Sequence, residues 1–189
     1  MEWDIVYYNE NRDLVNNLLD LLKSNQTITS LTLNTNPHVS ASYFFRMIFD
    51  EIFINNKTIT KLNLGYLEAS SLQLTDKFYQ SLYDSSVTKL SITIRSGMNQ
   101  FYEMIKNPHC NIQSLKVHCF YILPIELLES MKYNLSIKYL TIFTPSKEPI
   151  RLTYNHSLQR LIYDTHHFRY SYDSSCLVEF YQNFEKKIN

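Results

Sequence analysis

Two histidine–cysteine pairs are the residues of this chain with the clearest metal-binding chemistry. His109–Cys110 and His118–Cys119 offer imidazole and thiolate groups, which are common ligands of zinc. An extended chain rises about 3.3 Å per residue, so a strand between the pairs would hold them on the order of 25 Å apart. Zinc ligands lie about 2 Å from the metal. The spacing therefore predicts that the two pairs share no metal.

The sequence contains no recognisable catalytic motif. The chain has only two glycines, and none flanks a serine in the pattern of a nucleophile elbow. Asp50 and Glu51 are adjacent on a predicted helix, where neighbouring side chains point to different faces. His166, His167 and Cys176 form a looser group that we expect to be solvated. We predict no catalytic residues, no bound metal, no cofactor and no enzymatic activity.

The overall composition limits the classes of partner. The 189 residues carry 18 Lys and Arg against 18 Asp and Glu, so no net charge is available to attract nucleic acid or an anionic membrane. The N-terminus has no signal-peptide pattern. Charged residues interrupt the apolar stretches before the roughly 18 residues of a membrane span. Three cysteines give no disulfide framework. These features favour one domain over residues 1–189, in the cytoplasm and without a membrane partner.

The elements that position these residues come from an internal repeat. Six segments share an aliphatic residue, two polar residues, Leu, any residue and a second apolar residue. They are residues 28–33, 59–64, 87–92, 112–117, 137–142 and 158–163. The anchoring leucines are Leu31, Leu62, Leu90, Leu115, Leu140 and Leu161. Alternation around each leucine predicts a short strand with one buried face.

The segments between the strands have helical periodicity. Apolar residues recur at i, i+3 and i+4 in residues 12–23, 42–54, 75–84, 98–106 and 124–132. The last spacing between leucines, 21 residues, is too short for a full helix and predicts an extended or 3₁₀ crossover. No single unit can cover its own apolar strand face. Stacked units would bury that face between a parallel sheet and a layer of helices.

This pattern resembles the leucine-rich-repeat family, and most closely its ribonuclease-inhibitor-like class, over roughly residues 12–165. The resemblance implies an α/β solenoid, a horseshoe arc with a concave parallel sheet of about six strands and convex helices. Repeats would occupy residues 24–165, with caps at residues 1–23, including an extra strand at Trp3, Ile5 and Tyr7, and at residues 166–189. One feature departs from the family. Its asparagine or cysteine, five residues after the first strand leucine, is present only as Asn36; the other copies have Leu67, Arg95, Phe120, Pro145 and His166.

Four Asn-x-Ser/Thr sequences also recur with the repeat. They begin at Asn25, Asn56, Asn134 and Asn155 and occupy the same turn before a strand. A glycan would require secretion, whereas a repeated turn explains all four positions. We interpret them as turn residues.

The strand phase predicts which residues face outward. If the leucines point inward, the residues between them lie on the concave face. The candidate partner-binding residues are Lys61, Asn63, Lys89, Ser91, Lys116, His118, Tyr139, Thr141, Phe143, Arg160 and Ile162. This face is modestly basic at one set of positions and aromatic or apolar at another, and Tyr and Arg are enriched in binding hot spots.

These features predict a non-catalytic protein-interaction scaffold. Its partner would be a protein with an acidic or mixed apolar surface. A pathogen or viral effector acting in host cytoplasm fits the same description. One alternative is a substrate-receptor or adaptor subunit of a larger complex, such as a ubiquitin ligase, although residues 1–23 are short for an F-box-like module. A nucleic-acid-binding module is a further alternative, which the neutral charge disfavours.

Overall fold

Seven strands form one parallel sheet in the computed structural model, which describes residues 2–7, 12–35, 55–64, 76–94, 99–119, 125–145 and 157–164. Each strand pairs with the next one along the chain, so that the order in the sheet is the order in the sequence. The strands are Glu2–Tyr7 (β1), Ser30–Thr35 (β2), Lys61–Leu64 (β3), Lys89–Ile94 (β4), Ser114–Cys119 (β5), Tyr139–Phe143 (β6) and Arg160–Asp164 (β7).

The register of the sheet aligns the repeats. Leu31 is paired with Leu62, and the alignment continues strand by strand through Leu90, Leu115, Leu140 and Leu161. The predicted α/β class and the predicted parallel strands are therefore confirmed. β1 adds a seventh strand beside β2, with Trp3 opposite Leu31, where the sequence predicts an extra strand in the N-terminal cap.

Helices connect several of the strands. Four are described: Arg12–Ser24 (α1), Asp76–Asp84 (α2), Asn99–Lys106 (α3) and Ile125–Met131 (α4). They agree with four of the five predicted helices to within one or two residues. The predicted helix at residues 42–54, most of the crossover before β7 and the C-terminal cap at residues 166–189 lie outside the described residues.

The core lies between one face of the sheet and the apolar stripes of the helices. Leu33, Leu64 and Val117 are almost fully buried, like the aligned leucines. They belong to the same cluster as Leu22 of α1 and Phe101 of α3. Burial of a large aliphatic or aromatic side chain contributes about 1.5–3 kcal/mol. The alternation read from the sequence thus divides each strand into a core side and an outer side.

A repeated backbone contact holds consecutive units in register. The carbonyl of Thr29 accepts hydrogen bonds from the N–H groups of Thr60 and Lys61, at 3.0 and 3.1 Å. The same contact joins each later pair of units. The accepting carbonyls there belong to Thr60, Thr88, Gln113 and Lys138, each serving two N–H groups of the next unit. Since each carbonyl has two lone pairs, a single turn atom satisfies two donors at the entrance of the next strand.

Asparagine side chains connect the turns to the preceding unit. Asn134 is fully buried, and its Nδ2 donates to the carbonyl of Ile105 at 2.6 Å. Its Oδ1 accepts from the N–H groups of Ser136 and Ile137 at 2.9 and 2.7 Å. Asn56 repeats the arrangement three repeats earlier, in the turn before β3, with Nδ2 donating to the carbonyl of Leu22 at 2.8 Å. Each such amide satisfies a carbonyl near a helix end that has no partner within its helix.

This turn network gives a structural role to the Asn-x-Ser/Thr sequences that begin at Asn56 and Asn134, whereas Asn155 lies outside the described residues. In Asn56-Lys57-Thr58 the asparagine Oδ1 accepts from the N–H of Thr58 at 2.9 Å, and the Thr58 hydroxyl donates to the Ile28 carbonyl of the previous turn at 2.9 Å. The Ser136 hydroxyl donates to the Pro108 carbonyl in the same way, at 3.0 Å. The hydroxyl residue is therefore a second link between units. With both polar groups of the tripeptide used internally, a structural role accounts for the pattern.

Among the described residues, the buried side chain of Tyr102 in α3 has an unsatisfied polar group. Its ring is buried against Phe101, but its hydroxyl has no hydrogen-bond partner within the described part of the chain. Burial, with a further contribution from the charge of Glu126, holds the pKa of this phenol well above its usual range. An unpaired buried hydroxyl costs about 1–3 kcal/mol.

Removal of that hydroxyl should therefore stabilise the protein. We expect Tyr102→Phe to raise the free energy of unfolding by about 1 kcal/mol, because the ring packing is kept and the unpaired oxygen is lost. Urea denaturation followed by circular dichroism measures this change. Tyr133→Phe is the matched control, since Tyr133 is 57% exposed and its hydroxyl is hydrated in both states. A loss of stability in Tyr102→Phe would contradict the assignment.

Candidate partner-binding face

The outer side of the sheet, here called the polar face, contains the predicted binding residues in aligned rows. The first row joins Lys61 to Lys89, then to Ser114, Tyr139 and Arg160. The second row contains Asn63, Ser91, Lys116, Thr141 and Ile162, and the third contains Thr93, His118, Phe143 and Asp164. All eleven predicted residues thus lie on one side of β3–β7, at the alternating positions that do not enter the core.

The polar face has an excess of basic groups. Lys61, Lys89, Lys116 and Arg160 are exposed, whereas Asp164 is the only acidic residue of the three rows in the described parts of β3–β7. Lys61 and Lys89 are register partners on adjacent strands, where backbones lie about 4.8 Å apart. Adjacent like charges repel each other. The two side chains therefore place like charge on the same part of the polar face.

An aromatic cluster lies at the β5–β6 boundary of the polar face. The rings of His118 and Phe143 are stacked, with centroids 4.7 Å apart and planes within 9° of parallel. The Lys116 ammonium nitrogen lies 4.7 Å from the centroid of the Phe143 ring. Attraction between a cation and an aromatic ring contributes about 0.5–1 kcal/mol at an exposed site. Phe143 therefore contacts two neighbouring polar side chains on the surface.

A depression of about 300 Å³ lies beside this cluster. We call it the β4–β7 notch. Its lining residues are Lys89, Ser114, Tyr139, Leu140, Thr141, Arg160 and Ile162. Tyr139 remains 47% exposed. Five of the seven are predicted binding residues. Ser114 is in the first row of the predicted face but was not among the candidates, and its position between Lys89 and Tyr139 was the available signal.

The two histidine–cysteine pairs are separated by the sheet architecture. His109 is exposed in a turn, and Cys110 is buried beside it. His118 lies on the polar face, while Cys119 points into the core from the next position of β5. No group of three His, Cys, Asp or Glu residues that could hold a metal is found in the part of the chain that is described.

The described cysteines have the properties of core residues. Burial raises the pKa of the Cys119 thiol to about 12 and also raises the pKa of the Cys110 thiol. Because the thiolate is the reactive form, both thiols are weak nucleophiles at neutral pH.

A second depression, of about 520 Å³, lies at the edge of the turns. Its lining includes Ser85, His109, Asn111, Leu135 and Lys138. Asn111 is already engaged, since its Nδ2 donates to the carbonyls of Tyr83 and Ser85 at 2.8 and 3.0 Å. The sequence pattern does not reveal this depression, because turns from three consecutive units form it.

Comparisons of the chain with protein-family models and with curated proteins found no match. In the described residues, no helix is both long enough and apolar enough to cross a lipid bilayer. The arguments for a function therefore come from the arrangement of the polar face.

Proposed function

We propose that the chain is a short solenoid of the leucine-rich-repeat type and that its polar face binds a protein partner. The partner's surface would be acidic in one part and apolar in another. In this proposal the polar face is the concave side of the arc. The protein carries out no catalysis and acts in the cytoplasm, as an adaptor or as an effector.

The observation that carries the proposal is the alignment of exposed basic and aromatic side chains along consecutive strands. Four exposed cations and the half-exposed Tyr139 lie on one side of five strands, in continuous rows. Their backbones are held by the buried opposite face, so little conformational freedom is lost when a partner binds. Such preorganisation lowers the entropic cost of association.

Site-specific photocrosslinking tests whether this face is the contact surface. A photoreactive benzoylphenylalanine at Tyr139 should give a discrete covalent adduct in an extract of cells that express the protein. The same substitution at Tyr133, which is similarly exposed but follows α4, should not give that adduct. Equal adducts from both positions would contradict the proposal.

Charge reversal provides an independent test. We expect Lys61→Glu, Lys89→Glu and Lys116→Glu together to reduce the Tyr139 adduct at least tenfold, because attraction to an acidic partner becomes repulsion. The matched control reverses Lys57, Lys106 and Lys132, which changes the net charge equally. Lys106 and Lys132 form exposed i, i+3 ion pairs on or just after helices, and such pairs contribute little stability. Adduct formation that is unchanged by the first reversal would contradict an acidic partner.

Heparin chromatography separates a protein partner from a nucleic acid. Binding to nucleic acid releases counterions and depends steeply on salt. We expect the neutral chain to elute from heparin at low salt. Strong, salt-dependent retention that is lost in the polar-face reversal would favour the nucleic-acid alternative.

A further inference from the structure

The β4–β7 notch contains four polar side chains that can all donate hydrogen bonds. They are the Lys89 ammonium, the Ser114 hydroxyl, the Tyr139 phenol and the Arg160 guanidinium, and they lie in one row across β4, β5, β6 and β7. In the described part of the chain, none of these side-chain groups forms a hydrogen bond or an ion pair. The notch is thus a group of available donors.

The cations occupy the two ends of this row. Lys89 and Arg160 are three strands apart, which corresponds to roughly 14 Å between their backbones. Ser114 and Tyr139 lie between them. Lysine and arginine have no acceptor atom, so only an acceptor can complement them. An oxyanion supplies several lone pairs without a competing donor.

The rest of the lining adds an apolar contact. Ile162 lines the same depression, next to the half-exposed ring of Tyr139, whereas Leu140 also borders it but has its side chain almost fully buried in the core. A free inorganic anion would gain nothing from this apolar surface. An acidic side chain with a methylene stem matches both parts, because its carboxylate meets the donors and its stem meets the apolar residues.

We propose that the β4–β7 notch is a carboxylate-binding subsite that receives a glutamate side chain of the partner protein. The inference rests on the proposed function, since the carboxylate belongs to the partner that docks on the polar face. Arg160 is the central residue of the subsite, because a guanidinium can bind both oxygens of one carboxylate.

The test uses short peptides rather than the unidentified partner. Acetylated and amidated triglutamate is titrated into the ¹⁵N-labelled protein at low ionic strength, with triglutamine and inorganic phosphate in parallel. Triglutamate should shift the backbone resonances of Ser114, Tyr139 and Thr141 in a saturable manner. Triglutamine should cause no such shifts, and phosphate should require at least tenfold higher concentrations.

Variants then locate the binding site. Arg160→Gln and Lys89→Gln should each weaken triglutamate binding about tenfold, as expected for loss of a hydrogen bond between charged groups. Lys61→Gln removes the same charge from the first row outside the notch, and its effect should stay within about twofold. Equal effects of the Lys61 and Arg160 variants would overturn the subsite in favour of diffuse attraction. Phosphate binding as tight as triglutamate would overturn the assignment to a carboxylate.

The subsite and the proposed function can fail separately. A Tyr139 photoadduct together with no triglutamate binding would leave the docking face in place and reject the subsite. Saturable triglutamate binding that requires Arg160, without any photoadduct, would retain the subsite and reject the docking function.

Discussion

Replacement of Asn134 by Asp is expected to lower the free energy of unfolding by about 3 kcal/mol or more, whereas the same change at Asn25 should alter it by less than about 0.5 kcal/mol. The two residues occupy the same turn position in different repeats. Both use Oδ1 to accept hydrogen bonds from backbone N–H groups two and three residues later. An aspartate preserves that interaction at both sites.

The two sites differ in the contacts of the amide nitrogen, Nδ2. Asn134 is fully buried, and its Nδ2 donates to the Ile105 carbonyl, so aspartate would place a charged oxygen against a carbonyl oxygen in the core. The Asn25 amide nitrogen has no partner in the described part of the chain, and its side chain is partly exposed. Burial of an uncompensated charge costs several kcal/mol.

Urea denaturation of both variants measures the two changes. Asn111→Asp provides an intermediate case if Asn134→Asp does not fold, because Asn111 makes two inter-turn bonds but is exposed. We expect a loss of about 1 kcal/mol there. Equal stability of the Asn25 and Asn134 variants would show that the inter-turn bond contributes no measurable stability.

The strand register could be predicted from the sequence because it depends only on the spacing of residues along the chain. A leucine that recurs with an aliphatic residue two positions later defines both the strand and its buried side. Since all six copies share this phase, the sequence alone assigns Lys61 and Lys89 to the same row, and the structure pairs them. The same alignment also implies that His118 and Phe143 are neighbours, as the structure places them. Their stacking depends on side-chain rotamers, which a repeat pattern does not determine.

The turn contacts were only partly predictable. The recurrence of Asn-x-Ser/Thr identified a shared turn. The asparagine that leucine-rich repeats usually have after the strand is replaced by other residues in most copies of this chain. The sequence could not indicate that asparagines before the strand make the inter-unit bonds. That assignment requires the end of the preceding helix to lie beside the turn, as Leu22 lies beside Asn56. Such proximity depends on how helices pack against the sheet.

The notch and the buried members of the polar face were unpredictable for a related reason. Alternation places Ser30 and Thr93 on the outer side, yet they are only 8% and 6% exposed. Side chains of neighbouring strands and the segments around them determine how much of each row reaches solvent. The notch likewise depends on the sizes of side chains in four strands. Periodicity assigns a face, whereas exposure depends on the complete three-dimensional surroundings.

A matched pair of substitutions on β5 tests the assignment of faces on which the proposed function depends. Val117 is fully buried, while the neighbouring Lys116 is exposed on the polar face. We expect Val117→Lys to lower the free energy of unfolding by about 3–5 kcal/mol, since it buries an unpaired charge. Lys116→Leu should change it by less than about 1 kcal/mol, the contribution of its contact with Phe143.

Chemical denaturation of the two variants, followed by tryptophan fluorescence and circular dichroism, measures both effects. A total stability of about 5–15 kcal/mol is usual for a domain, so Val117→Lys can prevent folding altogether. Val117→Ala then supplies a smaller change, with an expected loss of about 2 kcal/mol from two missing methyl groups and the cavity they leave. Comparable losses in Lys116→Leu and Val117→Ala would contradict the assignment of the two faces.

The contrast between adjacent positions also explains how such a sheet can acquire a binding function. The core side of each strand is constrained by packing, so Leu115 and Val117 tolerate little change. Exposed positions on the outer side are less constrained, because surface substitutions usually have small effects on folding. Substitutions that introduce basic, aromatic or hydroxyl groups there can therefore improve binding to a partner without preventing folding. If Lys116→Leu proved as damaging as Val117→Lys, the polar face would be required for folding, and its lysines would need no partner to account for them.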